Sequence, residues 1–277
     1  MTLDDRPKAP NREWLAGEIK KRAPWYQRIE FPEYGLSTTD DPDCLVNDPA
    51  WDNLFPGMEP SDAPRLRPTP KFHRLQHLLP DLSGKTVLDV GCSCGFFALE
   101  FARRGAAAVT GIDVDATNIS RARFCASTLK LGNVEFATAD VGEYTTAHDV
   151  VWGASLHEHF FFPFYYFARM LCLSRELFLL ETHHYIGDDG RAVAGLDVAP
   201  TSDALGSHAF HFSRKMYRDY LTLLRVPASA IEEKVFYEDS TVRRLLLSVR
   251  TSEFQQTRDR HPFLGILRDV GRQESTP

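Results

Sequence analysis

Long apolar runs, an excess of basic charge and a pattern of paired cysteines are all missing from this 277-residue sequence. Its most apolar stretch, residues 160–173, is shorter than a bilayer-spanning helix and includes Pro163 and Arg169, so we expect no membrane segment. The net charge of −6 gives no cationic field for phosphate backbones, which disfavours a general nucleic-acid binder but leaves a specific RNA enzyme open. Charge alone therefore favours a small-molecule partner.

The cysteines do not form a disulfide framework, because they are odd in number and widely scattered. They are Cys44, Cys92, Cys94, Cys125 and Cys172. Residues 1–10 are charged and contain proline, without the apolar core of a secretory signal. We therefore expect a reducing, cytoplasmic location. With 43% hydrophobic and 25% charged residues, the chain has enough apolar material for a core that needs no disulfide or metal.

Composition divides the chain into three parts. Residues 1–70 form an N-terminal extension with many prolines and acidic clusters, whose aromatic side chains are too costly to leave in water. We expect this extension to be irregular, and either to pack as a fixed arm or to cover a pocket as a lid. Residues 71–250 form the main domain, and residues 251–277 form a mostly polar C-terminal tail.

The main domain alternates short apolar runs with amphipathic segments, which predicts an α/β fold. The predicted strands are 86–90, 108–113, 134–137, 148–152 and 176–180, and the predicted helices between them are 96–104, 116–131 and 162–173. Strands spaced by helices require right-handed crossovers and a parallel, Rossmann-like sheet. Ser213 is predicted to cap one more helix, and residues 231–237 and 243–250 are predicted to pair antiparallel.

A glycine-containing loop between the first strand and the first of these helices carries the strongest local signal. Gly91 and Gly95 let the backbone approach a ligand, and the helix that follows offers unpaired N–H groups at its N-terminus. Asp113 ends the second strand, eighteen residues beyond Gly95, where a carboxylate can bind a ribose diol. Asp140 ends the third strand region, where an adenine amino group would lie. The pattern predicts a nucleoside-containing cofactor.

The chain resembles the class I S-adenosylmethionine-dependent methyltransferases over residues 71–250. Within that class, the stretches GKTVLDVGC at 84–92, GID at 111–113 and LLET at 179–182 resemble the bacterial transfer-RNA wobble-uridine carboxymethyltransferases and their small relatives. The resemblance implies a seven-stranded sheet and S-adenosylmethionine as cofactor. It implies cofactor contacts by Asp89, Gly91, Cys92, Ser93 and Gly95 around the methionine moiety, Asp113 and Val114 at ribose and adenine, Asp140 and Val141 at adenine, and Ala154 beside the sulfonium.

Two positions depart from the resemblance. Ser93 stands where the loop commonly has glycine, and it is small enough to keep the bend. The carboxymethyltransferases use a carboxylated cofactor, held partly by a tyrosine after the fourth strand, and Glu158 occupies that position here. An ionised glutamate would repel the extra carboxylate, which favours ordinary methyl transfer.

Histidines concentrate after the fourth and fifth strands, where the ligand crevice of an open parallel sheet lies. His157 and His159 are our first candidates for a general base and His183 the third, because imidazole can accept a proton near neutral pH. The candidate acceptor-binding residues are Trp25, Tyr26, Glu158, His184, His208 and His211.

The same histidines also have metal-ligand spacings, with Glu158, Glu181 and Asp188 nearby. No single stretch repeats a closed zinc pattern, so we expect no metal.

The function hypothesis is transfer of a methyl group from S-adenosylmethionine to an O or N atom of a small molecule, by in-line displacement with histidine as base. Modification of a transfer-RNA wobble uridine is one alternative. A metal-dependent methyltransferase or a non-catalytic cofactor-binding protein is the other.

Overall fold

The computed structural model describes residues 11–46, 66–184, 190–198, 208–238, 243–254 and Leu264. None of the helices within these ranges combines the length and the apolar character needed to cross a bilayer.

The described part of the N-terminal extension contains more regular structure than the sequence predicts. Helix α1 spans Arg12–Lys21 and begins at Asn11, whose side chain accepts a hydrogen bond from the Trp14 backbone N–H. Strands β1 (Glu30–Phe31) and β2 (Leu36–Ser37) then form a two-stranded antiparallel sheet.

A nine-stranded mixed sheet forms the centre of the protein. Its strands are β3 (Thr86–Val90), β4 (Ala108–Asp113), β5 (Val134–Thr138), β6 (His148–Ala154), β7 (Ser174–His184), β8 (Ala194–Val198), β9 (His208–Phe212), β10 (Ile231–Glu238) and β11 (Arg243–Arg250). The main path runs in the order β10-β11-β7-β6-β3-β4-β5. Along this path, each neighbouring pair among β7, β6, β3, β4 and β5 is parallel. Strand β11 is antiparallel to both of its neighbours, β7 and β10. This arrangement confirms the predicted Rossmann-like fold with an antiparallel C-terminal pair.

Helices cover both faces of the sheet. They are α2 (Thr69–Leu75), α3 (Phe96–Arg103), α4 (Ala116–Thr128), α5 (Pro163–Leu173) and α6 (Arg214–Leu223). Alternate strand residues enter two cores, because successive side chains point to opposite faces. Trp152 packs with α1, α3 and α4, while Val151 packs with α5 and α6. The predicted cap at Ser213 is confirmed, since its Oγ accepts the Met216 backbone N–H.

The hairpin of β8 and β9 lies in a region that the sequence assigns to a loop. β9 pairs with β8 along its length and contacts β7 through the single pair His184 and Phe212. Gly195 and Asp197 disfavour strand structure on local grounds, so tertiary pairing and not propensity decides this element.

Candidate active site

The loop after β3 is shaped by positive φ angles. Gly91 has φ +66°, Ser93 +51° and Gly95 +92°. A Cβ on Gly91 would lie 2.5 Å from Leu156 Cδ1, and one on Gly95 would lie 2.8 Å from Phe136 Cζ. The loop therefore requires glycine at both positions, and Ser93 adopts a backbone conformation that a small polar residue tolerates.

Asp113 joins the ends of β3 and β4. Its Oδ2 accepts the Ser93 backbone N–H at 2.8 Å, and its Oδ1 accepts the Asp115 backbone N–H at 2.9 Å. Each carboxylate oxygen has a second lone pair, so two hydroxyl groups of a ribose can still donate to it. Burial raises the pKa of Asp113, and the two backbone donors oppose that effect. The geometry fits the role that the sequence predicts.

Asp89 lies beneath the loop, not on its surface. Its side chain is buried, and Oδ2 accepts the Ala98 backbone N–H at 3.0 Å. Burial raises the pKa of this carboxyl to about 8. Asp89 thus ties α3 to β3, and Cys92 beside it is also buried.

The neighbouring strand ends present mixed polar and apolar groups. Val114 is 55% exposed directly after β4, which leaves an apolar face open for a base. Asp140 Oδ1 accepts the Gly142 backbone N–H at 2.7 Å and forms the turn after β5, while Val141 is buried. Ala154 ends β6 half-buried. These positions fit an adenosine moiety lying across the ends of β4 and β5.

The N-terminal extension is packed onto the cofactor loop. The Gln27 side chain is buried, and its Oε1 accepts the Phe96 backbone N–H at 3.0 Å, at the first residue of α3. Arg121 of α4 donates from Nε to the Arg22 carbonyl oxygen at 2.8 Å. In the described residues the extension therefore packs against α3 and α4.

A cluster of buried charges lies where β6, β7 and β11 end. Lys71 Nζ lies 2.7 Å from Glu181 Oε2, and Arg244 Nη1 lies 2.8 Å from Glu181 Oε1. Both cations also donate to Ser155 Oγ at 3.0 Å. Ser155 has φ +46°, a strained conformation of the kind that collects at functional sites. Two cations face the single carboxylate of Glu181, and burial lowers the pKa of Lys71.

Glu158 and His183 form a carboxylate–imidazole pair beside this cluster. Glu158 Oε1 lies 3.1 Å from His183 Nδ1, and Oε2 accepts the Thr182 Oγ1–H at 2.9 Å. Burial alone would raise the pKa of Glu158, but the imidazoles of His183 and His157 hold it well below its usual range. The His183 side chain is 18% exposed, and its Nε2 makes no hydrogen bond to any residue within the described ranges.

His157 lies behind Glu158 and has no exposed surface. Its Nε2 is 2.8 Å from Tyr217 Oη, and its Nδ1 is 3.3 Å from Glu158 Oε2. Burial lowers the pKa of His157 to about 4, so the ring is neutral at pH 7. The sequence makes His157 and His159 the joint first candidates for the base, and the structure buries the His157 ring completely.

The other predicted acceptor-binding residues are divided between the site and the core. The His211 ring centroid lies 4.5 Å from that of His183, and His159 is half-buried in the same turn as His157. His184 is buried at the end of β7. His208 begins β9, and its side chain lies outside the described part of the structure.

The side chains of Trp25 and Tyr26 lie in different surroundings. Trp25 is fully buried between α1 and α4, with its Nε1–H donating to the Ile19 carbonyl oxygen. Its predicted role in the acceptor pocket is corrected to core packing. Tyr26 turns towards the charge cluster: the Arg67 guanidinium lies 4.9 Å from its ring centroid. Burial raises the pKa of Tyr26, with smaller electrostatic effects from Arg67, Arg244 and Glu158.

Metal ligands are not gathered in the part of the chain that the structure covers. There, no group of three or more His, Cys, Asp or Glu side chains is arranged to hold an ion. Asp188, one of the nearby acidic residues in the sequence, lies outside the described residues.

Sequence reasoning missed Lys71, Ser155, Arg244 and Tyr217 as members of this site. Lys71 lies 110 residues before Glu181 in the sequence, and Arg244 lies 63 residues after it. No local sequence pattern therefore indicates that these three residues are in contact. The polar Ser155 directly after an apolar strand was the one local signal available.

Comparison with known proteins gives the class of this domain. Residues 81–170 match a family described as a methyltransferase domain. The central part of the chain is thus similar to methyltransferase domains.

Two curated relatives are similar over parts of their length. The ubiquinone biosynthesis O-methyltransferase of Neisseria meningitidis serogroup C is 40% identical over 83 residues, covering 28% of this chain and 35% of that protein. The tRNA U34 carboxymethyltransferase of Methylococcus capsulatus is 30% identical over 199 residues, covering 65% of this chain and 60% of that protein. The matches span about a third of the first relative and three fifths of the second.

The fold has a close counterpart among solved structures. The N-terminal domain of EvdMO1 with SAH bound superposes with a TM-score of 0.60 at 19% identity, covering 88% of this chain and 99% of that one. At this identity the likeness establishes the fold alone.

Proposed function

We propose that this protein transfers the methyl group of S-adenosylmethionine to an acidic oxygen of a small molecule, with His183 as general base. The observation that carries the proposal is the pairing of His183 Nδ1 with the buried Glu158 carboxylate at 3.1 Å. Glu158 favours the tautomer with the proton on Nδ1, which leaves a lone pair on Nε2, a buried atom with no hydrogen-bond partner among the described residues.

The residues present fit the cofactor. Gly91 and Gly95 give the loop the positive φ angles that bring its backbone to the carboxyl end of β3, and Asp113 has lone pairs for ribose hydroxyls beside its two backbone donors. When bound, S-adenosylmethionine supplies a methyl group that its positively charged sulfur makes electrophilic. Asp113 would bind the ribose, Val114 would contact the adenine, and the loop of residues 91–95 would hold the methionine moiety.

The base explains why oxygen is favoured over nitrogen as the acceptor atom. A neutral amine attacks through its own lone pair, whereas a hydroxyl or phenol becomes a good nucleophile only as its proton leaves. His183 Nε2 would take that proton, and the ionised Glu158 would stabilise the imidazolium that forms. The similarity to a ubiquinone biosynthesis O-methyltransferase supports the same atom.

A second candidate is modification of transfer RNA with a carboxylated cofactor. The longer similarity to a tRNA U34 carboxymethyltransferase favours it, and Lys71 and Arg244 beside Ser155 could hold an additional carboxylate. Glu158 argues against it, because its carboxylate lies at the position where the resemblance places a tyrosine. We therefore place this candidate second.

One assay separates the two candidates. The purified protein is incubated with methyl-labelled S-adenosylmethionine and, separately, with its carboxylated analogue. Each is tested against phenols, catechols, aliphatic alcohols, amines and unmodified tRNA. Label transferred to a phenol or another hydroxyl supports the first proposal. Transfer to amines alone would overturn the role of the base, and transfer to tRNA from the carboxylated analogue would establish the second candidate.

A further inference from the structure

The core beneath Glu158 contains polar side chains where apolar ones would pack. His157 and Tyr217 are both fully buried, and aromatic rings of α5 and β9 surround them. The His157 ring centroid lies 6.3 Å from that of Phe167 and 5.7 Å from that of Phe212. Burying an imidazole and a phenol in such surroundings is costly unless each polar atom is paired. Packing alone does not account for these two residues.

Their polar atoms form a chain that ends at the catalytic pair of the proposed function. Tyr217 Oη lies 2.8 Å from His157 Nε2, and His157 Nδ1 lies 3.3 Å from Glu158 Oε2. Glu158 Oε1 lies 3.1 Å from His183 Nδ1. Thr182 completes the arrangement by donating to Glu158 Oε2 at 2.9 Å.

The direction of each proton follows from the charge of Glu158. A carboxylate accepts only, so both imidazoles present N–H from Nδ1 to it. With its proton on Nδ1, the neutral His157 has a lone pair on Nε2, and the Tyr217 O–H donates to that lone pair. The protons then point one way from Tyr217 through His157 and Glu158 to His183, with the two imidazole–Glu158 steps as close ionic contacts and not as aligned hydrogen bonds. Tyr217 Oη also lies 3.3 Å from Thr182 Oγ1, which links it to Glu158 by a second route.

We propose that Tyr217 and His157 are positioning residues that hold Glu158 in place and thereby keep the His183 ring oriented with its proton on Nδ1. This inference rests on the proposed function of His183 for its catalytic consequence, but not for its structural content. If the Tyr217 hydroxyl is removed, the His157 Nε2 lone pair loses its donor among aromatic rings. His157 keeps its proton on Nδ1, which faces the Glu158 carboxylate, but its ring is no longer fixed, so Glu158 and the His183 ring that contacts it lose support.

The test combines Tyr217→Phe with Tyr220→Phe as its matched control. Tyr220 lies on the same helix and donates from its Oη–H to the Phe164 carbonyl oxygen at 2.7 Å, so its substitution removes a comparable hydrogen bond away from Glu158. Nitrogen-15 NMR of labelled histidines reports the tautomers directly. In the wild type and in Tyr220→Phe, we expect His157 and His183 to be protonated on Nδ1. In Tyr217→Phe, we expect both to stay protonated on Nδ1, with a change in the His157 Nε2 chemical shift that Tyr220→Phe does not cause, because that lone pair loses its donor.

Kinetics add the second readout. Tyr217→Phe should lower kcat at least about tenfold with KM for S-adenosylmethionine unchanged, because a loosely held imidazole is a poorer base while the cofactor is not disturbed. The inference is overturned if wild-type His157 carries its proton on Nε2, or if Tyr217→Phe matches Tyr220→Phe in both the His157 Nε2 shift and kcat. The NMR result needs no turnover, so a chain without methyl-transfer activity would sink the proposed function and leave the tautomer assignment to be judged separately.

Discussion

His183 Nδ1 lies 3.1 Å from Oε1 of the fully buried Glu158. The two residues come from different elements, the turn after β6 and the end of β7, which are adjacent parallel strands. The carboxyl ends of such strands meet at one edge of the sheet, so the pair forms where an open α/β sheet binds its ligands.

Replacing His183 by Gln should abolish most methyl transfer. Gln keeps the size and a hydrogen bond but cannot accept a proton, so we expect kcat to fall about 10²–10⁴-fold with unchanged affinity for S-adenosylmethionine. Turnover with labelled cofactor and calorimetric binding measure the two quantities. The control is His77→Gln, at an exposed histidine on the helical turn after α2. Equal kcat in both variants would show that His183 is not the base.

Asp113→Ala should weaken cofactor binding by about 1–3 kcal/mol, because ribose hydroxyls lose a charged acceptor. Asp113→Asn should weaken it less, since one oxygen remains. Calorimetric titration with S-adenosylhomocysteine measures the change, and Asp219→Ala on the exposed face of α6 is the control. Unchanged affinity in Asp113→Ala would move the cofactor away from the end of β4.

Gly91→Ala should lower the free energy of unfolding by about 1–2 kcal/mol, the cost of placing a Cβ at positive φ. The contact with Leu156 Cδ1 involves a flexible side chain end and should contribute little, so the cost should persist in a Leu156→Ala background. Gly17→Ala in α1, where a Cβ meets nothing within 4 Å, should instead raise stability by about 1 kcal/mol. Denaturant unfolding of the four variants tests this. If Gly91→Ala causes no loss of stability in the Leu156→Ala background, the loss comes from the contact with Leu156 and not from the positive φ angle.

Stability should fall as the pH is lowered from 7 to 5, in part because of His157. Its folded pKa of about 4 lies below the unfolded value of 6.5, so the unfolded chain binds more protons in this window. Integrating the difference gives a loss of about 2 kcal/mol at pH 5. His157→Gln cannot take up that proton and should lose correspondingly less between the two pH values. Identical pH dependence in wild type and variant, measured by urea unfolding, would contradict the neutral, buried state of His157.

The sequence was sufficient for the parts of the structure that depend on local pattern. The alternation of strands and helices, the Ser213 cap and the antiparallel pair of β10 and β11 all follow from periodicity and spacing. The glycine loop was recognisable because its backbone has positive φ angles at Gly91 and Gly95, which glycine adopts readily.

The charge cluster and the choice among the candidate bases do not follow from local sequence pattern. Lys71, Glu181 and Arg244 come together only when β7 and β11 pair and α2 packs at their ends. His157 and His183 look alike in sequence, and only the structure shows that His157 Nε2 is paired with Tyr217 while His183 Nε2 has no partner among the described residues. Trp25 likewise could have lined a pocket or filled a core, and the packing of α1 on α4 decides for the core.

The most direct test of the account is calorimetric titration of the metal-stripped protein with S-adenosylmethionine and with S-adenosylhomocysteine, followed by the same titrations with a divalent metal added. We expect both ligands to bind with micromolar affinity without metal, and the added metal to leave that affinity unchanged. Failure of both ligands to bind, with or without metal, would contradict the cofactor site on which the proposed function rests.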